Sequence, residues 1–150
     1  GEPVAGALLD VWQADDEGMY EAQLDVAEAR LRAKYTTGPD GRYCVRTIAP
    51  FGYSIPVDGP VGELIAQTSI SHFRPAHVHF IVSAPGYEEL VTHIFRQGAK
   101  YLDNDVVFGV RPELIVPFEE RPAGPTPDGG SCDEPWLEAR YDFVLQPAES

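Results

Sequence analysis

The sequence has few of the features that mark secreted, membrane or nucleic-acid-binding proteins. Its 150 residues include two cysteines, Cys44 and Cys132, too few for a disulfide framework. They allow at most one bridge, and a reduced, cytoplasmic protein is the simpler interpretation. It has 11 basic residues against 24 acidic ones, and the formal net charge of −13 repels phosphate backbones and anionic lipid surfaces. No apolar run approaches the roughly 20 residues that a membrane helix needs. We therefore expect one domain without a nucleic-acid or membrane partner.

Turn-forming residues are frequent along the whole chain, with 14 Gly and 14 Pro, and this favours short strands. Turn signals and apolar patterning predict strands at Val4–Gln13, Leu31–Thr36, Arg42–Ile48, Ala76–Ser83, Leu90–Phe95, Glu113–Glu119 and Trp136–Leu145. Helical spacing is limited to Leu24–Leu31, a short run for which a loop is the alternative, and to Val61–Thr68. Loops are predicted at Ala49–Pro60 and Arg121–Gly130. The sequence predicts an all-β fold, a β-sandwich of mixed strands with long active-site loops and little helix.

Two histidines, His77 and His79, lie one residue apart in the predicted strand RPAHVHF. In a strand, residues i and i+2 face the same side with Cα atoms roughly 6.6 Å apart, so both imidazoles can reach one ion. Val78 and Phe80 then face the core. Neutral imidazole is a common metal ligand near pH 7, but the pair alone is compatible with zinc, copper or iron.

The remaining ligands decide which metal the pair binds. No Cys or His at the short spacing typical of zinc sites accompanies it. His72 or His93 would complete a copper-type redox site. Tyrosine is a less obvious candidate for the remaining ligands. A third hypothesis is a non-catalytic, prealbumin-like β-sandwich binding module, in which these residues have no joint purpose.

Four stretches of the sequence resemble the intradiol ring-cleaving dioxygenases, and most closely their hydroxyquinol 1,2-dioxygenase branch. They are DVWQADDEGMY (Asp10–Tyr20), TTGPDGRYCVRTIAPFGYSIPVDGPVG (Thr36–Gly62), RPAHVHFIVSAPGY (Arg74–Tyr87) and VTHIFRQGAKYLDNDVVFGV (Val91–Val110). The resemblance implies an enzyme that splits a catechol ring with O2 between its two hydroxylated carbons. It implies a mononuclear non-haem Fe(3+) cofactor with no external reductant.

The resemblance also implies a role for individual residues. Iron(III) is expected to bind Tyr20, Tyr53, His77 and His79, with Tyr53 leaving the metal to help take a substrate proton. Arg74 is expected to stabilise the negative charge that develops on the ring as O2 attacks, a role for which its planar donor fork is suited. Substrate contacts are expected from Ile55, Pro56, Arg74, Val107 and His93, where His93 replaces the Gln of many catechol enzymes of the family.

The implied reaction converts hydroxyquinol (1,2,4-trihydroxybenzene) to maleylacetate, with the conversion of catechol to cis,cis-muconate as the alternative. The partners are then a small aromatic diol and O2. Residues 1–150 are expected to form the catalytic domain. The N-terminal helical domain through which the family dimerises, and the strand that precedes Gly1 in the family, are expected to be absent, so a homodimer would need other contacts.

Overall fold

The computed structural model describes residues 1–23, 30–68 and 71–149 of the chain. Its strands are β1 (Leu8–Trp12), β2 (Arg32–Thr36), β3 (Tyr53–Ser54), β4 (Phe73–Arg74), β5 (His77–Ser83), β6 (Leu90–Arg96), β7 (Ile115–Val116), β8 (Glu119–Arg121), β9 (Gly124–Pro125), β10 (Ser131–Cys132) and β11 (Trp136–Glu138). The described residues also form the helix α1 (Gly59–Ala66) and two 3-10 turns, at Glu21–Gln23 and Pro112–Leu114. The predicted all-β architecture with little helix is confirmed.

The main sheet has five strands in the order β2-β1-β5-β6-β7, antiparallel except for the parallel pair β6–β7. Two-residue and three-residue ladders pair β3 with β4, β8 with β11 and β9 with β10. None of the described helices is long and apolar enough to cross a membrane.

One face of the main sheet forms the hydrophobic core. Alternation along the strands places Leu9, Val11, Val78, Phe80 and Ile94 on this face, all with exposed fractions of 6% or less. A second layer packs against them through side chains from two segments of the chain that lie outside the assigned strands. These side chains are Tyr43, Val45, Tyr141, Phe143 and Leu145. The opposite face of the sheet is left for the candidate site.

Several predicted strands are confirmed with changed boundaries, and others are wrong. Residues 42–46 and 140–145 alternate in burial, but the predicted strand Arg42–Ile48 and the second part of the predicted strand Trp136–Leu145 form no strand. Alternating burial concerns side chains only, whereas a strand also requires hydrogen bonds to a backbone partner. The predicted strand Glu113–Glu119 is divided. Pro112 begins a 3-10 turn and Pro117, which has no N–H to donate, interrupts the ladder after β7.

The predicted loops and helices also differ in part from the structure. The loop Ala49–Pro60 contains β3 and the first residues of α1, and the loop Arg121–Gly130 contains β9. The predicted helix Val61–Thr68 is confirmed but begins earlier, at Gly59, with Pro60 in its first turn, where a missing N–H costs nothing. The prediction at Leu24–Leu31 falls mostly on residues 24–29, outside the described residues.

Candidate metal centre

Strand β5 presents its two histidines on the face opposite the core. Val78 and Phe80 are buried in the core at exposed fractions of 5% and 4%, so His77 and His79 point to the other side. Backbone pairing places His77 opposite Phe95 and His79 opposite His93 on β6. The sheet therefore orients both imidazoles before any ligand binds.

A tight turn after β1 carries Tyr20 to the histidines. Asp15 accepts hydrogen bonds at Oδ1 from the N–H groups of Glu17 (3.0 Å) and Met19 (2.9 Å). Gly18 adopts φ +82°, and a Cβ there would lie 2.6 Å from the Cβ of Tyr53. Only 4% of Asp15 is exposed, and its carboxylate holds the turn.

A short ladder between β3 and β4 places Tyr53 beside Arg74. Their Cα atoms are direct partners in the antiparallel register, so both side chains extend to the same side. Gly52 precedes Tyr53, and a Cβ at Gly52 would lie 3.0 Å from the carbonyl oxygen of Arg74. The small residue permits this close approach of the two strands.

Four donor atoms converge on one point between these elements. The Tyr20 hydroxyl lies 2.7 Å from the Tyr53 hydroxyl, 3.1 Å from Nε2 of His79 and 3.3 Å from Nε2 of His77. The two Nε2 atoms are 3.0 Å apart. We call Tyr20, Tyr53, His77 and His79 the donor cluster.

The histidines of the donor cluster are neutral. Burial, followed by the positive charge of Arg74, lowers the pKa of His77 to about 4. Burial and the neighbouring His77 lower the pKa of His79 to about 3. Nδ1 of His77 donates to the carbonyl oxygen of Pro75 at 2.6 Å, so its Nε2 carries a lone pair directed into the cluster. Neutral imidazole is the form that binds a metal.

The donor cluster fits a hard trivalent cation. Nitrogen and oxygen ligands about 2.0–2.2 Å from one ion are about 3 Å apart at right angles, close to the distances in the cluster. Burial and the hydrogen bond with Tyr53 raise the pKa of Tyr20, so its phenolate requires a strong positive charge nearby. Two phenol oxygens and two imidazoles are a donor set that iron(III) favours.

The copper-type alternative finds no support in this geometry. Within the described parts of the chain, no group of three or more His, Cys, Asp or Glu side chains is placed to hold a metal ion. His72 instead packs its ring 4.3 Å from that of Phe73. A site of four protein ligands around His77 and His79 therefore depends on the tyrosines.

Two residues that the sequence analysis did not single out support the cluster. Trp12 stacks on His79, with ring centroids 4.9 Å apart and an interplanar angle of 5°. The guanidinium carbon of Arg32 lies over the same indole, 5.2 Å from the ring centroid. Asp105 pairs with Arg74 in the interior. Trp12 lies in a stretch that carries the family resemblance, but only its register opposite His79 reveals the contact.

Comparison with known proteins identifies the family. The model of the Dioxygenase family matches residues 1–147. The chain belongs to the intradiol dioxygenase family.

Its relatives in this family include enzymes named for hydroxyquinol. The hydroxyquinol 1,2-dioxygenase of Nocardioides simplex is 50% identical over 149 residues, which are 99% of this chain and 51% of that protein. The 6-chlorohydroxyquinol 1,2-dioxygenase of Cupriavidus pinatubonensis is 47% identical over 98% of this chain and 50% of its own length. The crystal structure of hydroxyquinol 1,2-dioxygenase from Pseudomonas putida DLL-E4 superimposes with a TM-score of 0.90 at 45% identity, covering 99% of this chain and 52% of that one. The chain thus spans about half the length of these relatives.

The predicted substrate contacts lie around the donor cluster in different ways. Ile55 and Pro56 line a cavity of about 890 Å³ together with Tyr20, Tyr53 and Trp12. His93 lies beside both histidines of the donor cluster, with ring centroids 5.9 Å from His77 and 5.7 Å from His79. Val107 is half-exposed and is joined to Arg74 through the carboxylate of Asp105.

Proposed function

We propose that this chain is the catalytic domain of a non-haem iron(III) dioxygenase that cleaves a catechol-type ring between its two hydroxylated carbons. The observation that carries the proposal is the convergence of the Tyr20 and Tyr53 oxygens with the Nε2 atoms of His77 and His79. When bound, Fe(3+) would supply the charge that keeps both phenols ionised and would bind the diol through both oxygens. The substrates are then an aromatic diol and O2.

The residues around the cluster support the chemistry of ring opening. Tyr53 can hold a substrate proton at its Oη, which already shares a hydrogen bond with Tyr20. Arg74 is buried at an exposed fraction of 6% and directs Nη1 to within 3.0 Å of Nε2 of His77. A fixed cation in a water-excluded site stabilises negative charge as it develops on the ring. Both atoms of O2 end in the dicarboxylic product.

Hydroxyquinol is the proposed substrate and maleylacetate the product. Relatives named for hydroxyquinol or its 6-chloro form are 43–50% identical over nearly the whole chain. In our assignment, Ile55, Pro56 and Val107 contact the ring. His93 offers Nε2, a buried nitrogen with no hydrogen-bond partner among the described residues. Catechol, opened to cis,cis-muconate, is the second candidate, because a catechol 1,2-dioxygenase structure from Pseudomonas arvilla C-1 also matches with a TM-score of 0.86.

The cellular setting that fits this function is a reducing cytoplasm. Cys44 and Cys132 are both free thiols, Cys44 exposed and Cys132 partly buried. Free cysteines persist where thiols are kept reduced.

The deciding experiment is the visible spectrum of the iron-loaded protein under argon, before and after addition of hydroxyquinol or catechol. Charge transfer from tyrosinate to iron(III) is expected to colour the protein burgundy, and a bound diol to shift the band to longer wavelength. The diol with the larger response at equal concentration ranks first as substrate. A protein that stays colourless and retains no iron after reconstitution would contradict the proposal and favour the non-catalytic binding module.

A further inference from the structure

The chain has 24 acidic residues, and among those that the structure describes only Asp15 and Asp105 are buried. Asp105 forms an ion pair with Arg74. Its Oδ1 accepts from Nε of Arg74 at 3.1 Å and its Oδ2 from Nη2 at 3.4 Å. The exposed fractions of the two side chains are 8% for Arg74 and 2% for Asp105. The carboxylate therefore meets one whole edge of the guanidinium in a dry environment.

This side-on pairing determines which nitrogen of Arg74 is left for chemistry. With Nε and Nη2 engaged, Nη1 is the terminal nitrogen that reaches the donor cluster, 3.0 Å from Nε2 of His77. The guanidinium is planar, so two hydrogen bonds to one carboxylate fix its orientation as well as its position. Loss of the carboxylate would free the plane to rotate and leave a buried charge uncompensated.

The same carboxylate also holds the segment that carries Val107. Oδ2 accepts from the N–H of Gly109 at 3.0 Å and Oδ1 from the N–H of Val107 at 3.4 Å. Gly109 in turn packs against His93, because a Cβ at Gly109 would lie 2.9 Å from Nε2 of His93. The side chain of Asp105 thus links Arg74 to two predicted substrate contacts, Val107 directly and His93 through Gly109.

Asp105 is ionised in this setting. Burial raises the pKa of its carboxyl, but the hydrogen bond from Arg74, the N–H of Gly109 and the positive charge of Arg74 outweigh burial and hold the pKa below its usual value. The pair therefore adds no net charge to the pocket.

We propose that Asp105 is a positioning residue for ring cleavage, which orients Arg74 so that Nη1 faces the reacting diol. This inference rests on the proposed dioxygenase function. Asp105 touches neither substrate nor metal, and it acts through Arg74. Its removal is expected to impair the step in which charge develops on the ring more than the binding of the diol.

The test compares iron-loaded wild type with Asp105→Asn, Arg74→Gln and the double variant. Asp103→Asn is the matched control, because Asp103 is an exposed acid in the same loop. Asp105→Asn is expected to lower kcat about 10- to 100-fold, less than the about 100- to 1,000-fold expected for loss of the cation itself. The dissociation constant of the diol under argon, read from the visible band, should change less than threefold. The double variant should match Arg74→Gln within twofold.

Each outcome decides one question. If Asp105→Asn behaves like Asp103→Asn, or if the two single losses multiply in the double variant, Asp105 does not act through Arg74. If Asp105→Asn weakens diol binding as much as turnover, the residue has a general structural role instead. If Asp105→Asn yields too little folded protein, Asp105→Glu takes its place with the same expected loss and non-additivity. A wild type without a diol-induced shift would contradict the dioxygenase function itself and not the pairing.

Discussion

At the scale of single residues, Tyr20 connects the donor cluster. Its oxygen lies within 3.3 Å of donor atoms on Tyr53, His77 and His79. Tyr43 offers a contrast, because its hydroxyl donates to the carbonyl oxygen of Tyr141 at 2.8 Å and its ring packs against the core on the other face of the sheet. The hydroxyls of Tyr20 and Tyr43 therefore lie on opposite faces of the sheet, and their substitution should have separable effects.

Tyr20→Phe is expected to abolish most iron binding and the visible band, because it removes one of two anionic oxygens. The loss of iron affinity should exceed the about 10- to 100-fold typical for removal of an outer-shell partner. The measurement is iron content after dialysis against a chelator, together with the spectrum. Tyr43→Phe is the control and should keep iron while losing about 1 kcal/mol of unfolding free energy. Equal iron retention in the two variants would remove Tyr20 from the cluster.

At the scale of elements, strand β5 separates two functions by its alternation. Phe80 and Val78 stabilise the core on one face, while His77 and His79 serve the candidate centre on the other. Register then aligns Arg32, Trp12, His79 and His93 in one row across four neighbouring strands. The turn that carries Tyr20 packs directly against β3, because Gly18 lies against the side chain of Tyr53.

Gly18→Ala is expected to displace Tyr53 of the donor cluster, and Gly86→Ala provides a matched control. Both glycines have φ near +80°, so each Ala should cost about 1–2 kcal/mol of backbone strain. A Cβ at Gly86 meets nothing within 4 Å, whereas one at Gly18 would lie 2.6 Å from the Cβ of Tyr53. Gly18→Ala should therefore cost about 1–3 kcal/mol more and shift the tyrosinate band. Thermal unfolding and the visible spectrum test this, and identical behaviour of the two variants would refute the contact.

At the scale of the whole molecule, the net charge of −13 repels anions from the surface. The cavity beside the cluster includes Asp16, Glu17 and Glu21 among its lining residues, with Arg30 and Arg32 as its basic ones. Asp105 neutralises Arg74, so the pocket has little surplus of protein cations with which to attract a carboxylate.

A diol that carries a carboxylate should therefore bind less well than neutral catechol, and added salt should reduce the difference. Raising the ionic strength from 10 to 200 mM shortens the Debye length from about 30 Å to below about 10 Å. The dissociation constant of 3,4-dihydroxybenzoate should fall severalfold over this range, while that of catechol changes less than twofold. Titration under argon measures both, and an equal response of the two diols would exclude long-range repulsion as the cause.

Local sequence patterns, which involve residues a few positions apart, determined one strand and one helix of this protein. Alternation with a period of two predicted β5 and placed His77 and His79 on one face. Helix-compatible spacing at Val61–Thr68 predicted most of α1. The grouping of Tyr20 and Tyr53 with the histidines came from the family resemblance. Tyr20 lies 57 residues before His77 and Tyr53 lies 24 residues before it, so no local periodicity relates the tyrosines to the histidines. The ligand assignment remains a prediction that the spectra will test.

Only the tertiary structure decided the remaining features. The pairing of Asp105 with Arg74, the stacking of Trp12 on His79 and the packing of Gly18 against Tyr53 each join segments that are distant in sequence. Likewise, residues 42–46 and 140–145 alternate in burial as strands do, yet form none in the structure. Local propensity and alternation depend on neighbouring residues, whereas side-chain pairs and ladders depend on which segments the fold brings together.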